Sequence, residues 1–109
     1  MKTTYKEIVE ASGGLSKLLD KQLRPAQAIA LARLCKQLNA ELALFRAQQE
    51  KIFSEVAPEG DPDWQRRFDE LLAVEVEIPG GKVVLTLDEI DAGTVMATEP
   101  FVTIEEAGS

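Results

Sequence analysis

The chain has no histidine, and only one cysteine, one tryptophan and one tyrosine among its 109 residues. Without histidine it lacks the commonest general acid–base group and the commonest metal ligand. Ser/His/Asp and Cys/His nucleophilic arrangements cannot be assembled within one chain. One cysteine cannot supply the Cys/His ligand set of a structural zinc site. It also excludes an intramolecular disulfide framework, so a reducing compartment is the easier fit. The opening "MKTTYKEIVEASGG" has no apolar run of signal-peptide length, and nowhere do the ~18 successive apolar residues of a membrane span occur. A soluble cytoplasmic protein with no membrane association is the expectation. "SGG" at 12–14 and "PGG" at 79–81 lack Walker or dinucleotide spacing and read as turns, so no cofactor and no small-molecule substrate is expected.

Basic residues are also scarce. Twelve Lys and Arg face nineteen Asp and Glu, a net charge of -7. That argues against direct nucleic-acid binding, which needs a clustered basic face. The imbalance is uneven: residues 1–56 carry nine basic against six acidic side chains, and residues 57–109 carry three against thirteen. Either the halves pack on each other, or the acidic half is a solvated face or meets a basic partner.

What the chain does have is hydrophobic patterning: 45% hydrophobic with 28% charged is ordinary globular composition, and the length suits one domain, 1–109. The spacing predicts an N-terminal helical segment over 1–24. Thr4 and Glu7 have capping-box spacing, Tyr5, Ile8 and Val9 share a face, and Gly13 supplies a stop. Leu15, Leu18 and Leu19 then suggest a further turn or two. Pro25 opens a long helix with apolar residues at Leu31, Cys35, Leu38, Leu42, Phe45, Ile52 and Val56, widened by Leu34 and Leu44. Asp61-Pro62 signals a second helix with Trp64, Phe68, Leu71 and Leu72 on one face. The short link predicts an antiparallel helical hairpin over 25–73. Val74, Val76 and Ile78 alternate with glutamates, and "KVVLTL" follows "PGG", so a β-hairpin is expected, then a short helix capped by Asp91 and ended before Pro100. This C-terminal β/short-helix element covers 74–102, with Phe101 and Val102 docking and 103–109 a frayed tail. The fold class is α+β, α-rich.

No site residue emerges. Cys35 lies among leucines and reads as a small buried hydrophobe. Glu59/Asp61/Asp63, Asp69/Glu70, Glu75/Glu77 and Asp88/Glu89/Asp91 are compatible with a carboxylate-only metal or hydrolytic site, a third and remote class. Each has a simpler reading: Asp61 and Asp91 as caps, Glu75 and Glu77 as the wet face of a strand. Arg66-Arg67, flanked by Asp63 and Asp69, suits helix-surface ion pairing, with a partner contact as the alternative. Gln49, the polar interruption of the seam, either fixes register or marks where the seam meets solvent. The second helix, at ~18 Å, is too short to cover a ~48 Å partner. The stretch Leu31–Leu42 therefore needs the N-terminal segment, the C-terminal segment or a second copy of the chain, and a homo-oligomer is the favoured expectation.

The order of these features resembles a known group. "LLAVEVEIP", "VVLTLDEI" and "DAGTVMATEPFV", preceded by the long helix, are similar to small helical-hairpin proteins encoded in tailed-phage and prophage genomes. The resemblance covers roughly residues 15–102, and Gly93 and Thr94 depart from its pattern. It implies a phage accessory protein in the host cytoplasm or the virion, and assigns no residue a role. The leading expectation is a non-enzymatic interaction protein that self-associates or binds a virion or assembly partner through the long helix. The alternative is an acidic inhibitor of a host defence or metabolic protein, occupying a basic site.

Overall fold

The computed structural model describes residues 1–55, 62–87 and 90–105. Among them, four α-helices and four short strands, in the order β-α-α-α-β-β-α-β, form an elongated body of 53 × 25 × 21 Å, helix-rich and of α+β class. The chain starts with β1 (Lys2–Thr4) and turns directly into α1 (Tyr5–Leu19). Thr4 is extended, and its hydroxyl accepts the Glu7 N–H at 3.3 Å, satisfying one of the amide donors a helix start leaves without a partner.

α1 does not stop at Gly13, as the sequence reading expects; it runs through both glycines to Leu19. Neither glycine has the positive φ of a helix-ending cap. Gly14 instead makes room for α4 (Ala92–Thr98): a Cβ there would lie 2.9 Å from the Thr98 methyl and 3.5 Å from the Thr94 methyl. A glycine within a helix that allows a neighbouring element close looks, in sequence, like a glycine that ends one.

α2 (Pro25–Glu55) starts at Pro25, whose missing N–H is harmless in a first turn. Leu31, Leu38, Leu42 and Phe45 of its seam are buried, while Cys35 and Ile52 are half-buried. Val56 lies outside the described residues. Leu34 widens the buried stripe, but Leu44 does not, being 59% exposed. It stands about 200° round the helix from Leu42, nearly opposite the seam.

The cover for Leu31–Leu42 comes from the same chain. α1 packs on α2 and, with Ile8, Leu15 and Leu18, joins one core cluster with the seam. β3 (Val83–Thr86) also lies against α2, and its Leu85 is fully buried. Gln27 of α2 fixes that contact: its amide donates to Thr86 Oγ1 and accepts the Thr86 N–H, both at 3.0 Å. Val9 and Leu19, also on α1, remain 40% and 43% exposed.

α3 (Pro62–Leu72) starts at Pro62, as expected, while its cap Asp61 and the link before it lie outside the described residues. Its rings meet α2: Phe68 is 6.1 Å from Phe45, and Trp64 is 5.6 Å from Phe53.

The expected β-hairpin is not formed. β2 (Glu75–Glu77) pairs antiparallel with β1, in the register Thr3 to Val76. β3 pairs in parallel with β4 (Val102–Glu105), in the register Val83 to Val102. Alternation of apolar and acidic residues decides which face of a strand is buried but not which strand lies at its edge. The segment from β3 through α4 to β4 is long enough for a parallel crossover. Residues 103–105, expected as part of a frayed tail, are the greater part of β4. The rest of that tail, 106–109, lies outside the described residues. The Asp91 cap, the end of α4 before Pro100, and the burial of Phe101 and Val102 are as read from the sequence.

Candidate functional site

Three helices leave a space between them. α1 contributes Lys6, Val9, Glu10 and Ser12; α2 contributes Leu42, Phe45, Arg46 and Gln49; α3 contributes Phe68 and Leu72, and together they line a groove of about 390 Å³. Its floor is apolar because Leu42 and Phe45 end the buried seam here, and α3 covers only part of that end. Its rims carry the charged heads. A second hollow of about 290 Å³ shares Ser12, Leu42 and Arg46 with the first and continues between α1 and α2 to Leu19, Cys35 and Asn39. The two form one trough. On α2 it runs from Cys35 to Gln49, about 21 Å at 1.5 Å per residue. Ser12, Gly13 and Ser16 keep its α1 side low.

The groove floor belongs to an aromatic chain. Tyr5 lies 5.5 Å from Phe45, which meets Phe68 edge-on; Phe68 stacks on Trp64 at 5.3 Å, and Trp64 on Phe53. The Tyr5 hydroxyl donates to Glu41 at 3.0 Å, and burial, followed by that hydrogen bond and the Glu41 charge, pushes its pKa up. The Trp64 Nε1–H is buried and finds no acceptor among the described residues. It is the only tryptophan, so its emission reports directly on the stack beneath the groove.

The residues singled out from sequence do not converge. Cys35 lies half-buried at the far end of the trough, its thiol pKa raised by burial, which disfavours the thiolate. Asp63 pairs with Arg66 and Arg67, and Arg67 also reaches Glu55 of α2 at 2.8 Å. The arginine doublet is thus engaged in helix-surface ion pairing. Asp69 accepts from Gln65 at 2.9 Å, and Glu75 and Glu77 stand exposed on β2. Asp91 caps α4, accepting from the Thr94 N–H at 3.0 Å and the Thr94 hydroxyl at 2.8 Å. The Thr94 hydroxyl, then its N–H, hold the Asp91 carboxyl below its usual range. Glu59, Asp61, Asp88 and Glu89 lie outside the described residues. Among the described residues, no three Asp, Glu or Cys side chains gather as metal ligands. None of the helices among the described residues is long and apolar enough to cross a membrane.

Gln49 is half-buried on the groove rim. The groove itself escaped the sequence reading. Its one local signal was Val9, an apolar residue one step beyond the face defined by Ile8, Leu15 and Leu18.

What the fold defines is a small helix-rich α+β protein with an apolar groove. No family model, no curated protein and no solved structure matches the chain.

Proposed function

We propose that the chain is a non-enzymatic interaction protein that takes up a helix-borne apolar face of a protein partner in the groove between α1, α2 and α3. The observation that carries this reading is the groove's composition: a floor of Leu42, Phe45, Phe68 and Leu72, with Val9 at the lip, beneath a polar rim. Concave apolar grooves of this kind receive amphipathic helices. α2 and α3 act in it as an antiparallel hairpin. The reversed order of their ring contacts, Phe53 with Trp64 and Phe45 with Phe68, supports that arrangement. A phage accessory role rests on the resemblance in residue order alone.

Self-association does not follow from the α2 seam, because α1 and β3 cover it; the groove is the apolar surface left for a partner. One observation favours the acidic-inhibitor reading as a second. Among the described residues, Glu77 reaches the Met1 ammonium and Asp63 the α3 arginines, while Asp69, Glu70, Glu75, Glu99 and Glu105 form no ion pair with a described Lys or Arg, which leaves part of the acidic half's charge for a basic partner.

Selection from a randomised library of helical peptides tests the groove. The selected binders should weaken on the order of tenfold against Val9→Arg, which sets a charge on the apolar lip that the peptide must cross. They should bind Met96→Arg unchanged, because Met96 is 73% exposed and lies on α4, away from the groove. Binders indifferent to Val9→Arg would remove the reading.

A further inference from the structure

The charges around the groove say more about its occupant. All nine Lys and Arg side chains of residues 1–55 are exposed, and none makes an ion pair with a described residue. The two arginines of α3 behave differently, since both are paired with carboxylates of α2 or α3. Two of the unpaired cations, Lys6 and Arg46, stand on different helices along the groove, one from α1 and one from α2. Glu10, the one carboxylate that lines it, is four residues from Lys6 on the same helix, a spacing that permits pairing, yet the two are not paired.

We infer that the occupant of this groove is an acidic amphipathic helix of another protein, about fourteen residues long, laying its apolar face on Val9, Phe45 and Phe68 and its carboxylates toward Lys6 and Arg46. The inference rests on the groove reading above and adds the partner's charge and length. The length follows from the trough, whose α2 side spans about 21 Å, close to four helical turns. Ser12, Gly13 and Ser16 leave the α1 side low enough for a helix backbone to approach. The sign follows from the unpaired cations. A second copy entering by the same face would bring one predominantly basic half against another, and an isologous contact of that kind is disfavoured.

The test uses two synthetic fourteen-residue amphipathic peptides with the same leucine spacing, one flanked by glutamate and one by lysine. Trp64 emission and the anisotropy of a labelled peptide follow binding to the full chain. The glutamate peptide should bind about tenfold tighter than the lysine peptide at low salt, an advantage that shrinks as salt is added. The double variant Lys6→Glu/Arg46→Glu should reverse the preference. Both positions are exposed, and an unchanged melting curve confirms that the fold is intact. Equal binding of both peptides, abolished by Val9→Arg, would overturn the acidic assignment and leave the groove standing. Failure of both peptides to bind would remove the groove reading and this inference with it. Peptide affinity that falls as protein concentration rises would identify a second copy as the occupant and overturn the inference.

Discussion

Leu38→Ala should lower stability by about 2–5 kcal/mol, whereas Leu44→Ala, six residues along the same helix, should change it by less than about 0.5 kcal/mol. Leu38 is 2% exposed at the centre of the seam, in one core cluster with α1 and β3, whereas Leu44 is 59% exposed. Truncating Leu38 removes apolar transfer energy and leaves a cavity that a core held by α1 and β3 cannot fully close. The loss is a large share of the net stability of a domain this size. Denaturant midpoints with unchanged slopes measure both changes. Equal effects at the two positions would mean that the buried face of α2 is wrongly assigned.

The second large effect concerns adjacent glycines with opposite expected signs. Gly13→Ala should stabilise by about 0.5–1 kcal/mol, because alanine is the better helix former and a Cβ at this exposed site meets nothing within 4 Å. Gly14→Leu should destabilise by about 1–3 kcal/mol or more despite the same gain in propensity. Even its Cβ would sit 2.9 Å from the Thr98 methyl. Thr98 is fully buried and its hydroxyl donates to the Thr94 carbonyl at 2.7 Å, so it cannot turn aside without losing that bond. α4 would have to move, and with it the Phe101 and Val102 that follow. Thermal melts of the two variants should shift in opposite directions. A stabilised Gly14→Leu would show that α4 does not press on α1 there.

The features legible in the sequence were those set by short-range chemistry. The Thr4 and Asp91 caps, the helix starts at Pro25 and Pro62, and the buried residues of α2 each depend on a few neighbouring side chains. The sequence leaves the cover of Leu31–Leu42 open among the N-terminal segment, the C-terminal segment and a second copy, because apolar periodicity marks a face to be buried without naming what buries it. Gln27 binds Thr86 across 59 residues and Tyr5 binds Glu41 across 36. No local pattern announces such pairs. The strand partners were misread for the same reason: β2 and β3 are near in sequence, yet each pairs with a distant strand, because edges are chosen by the whole packing. The groove was hidden further still, since it is the space that three separately legible helices fail to fill.

One chain is sufficient to cover the α2 seam, which leaves the groove as the apolar surface offered to a partner. The molar mass in solution tests that directly. Light scattering at micromolar concentration should give 12.0 kDa, independent of concentration, for the chain without a partner. A mass of twice that value, lost in a variant that disrupts the exposed edge of α2 rather than the groove, would contradict it and return the cover of the seam to a second copy.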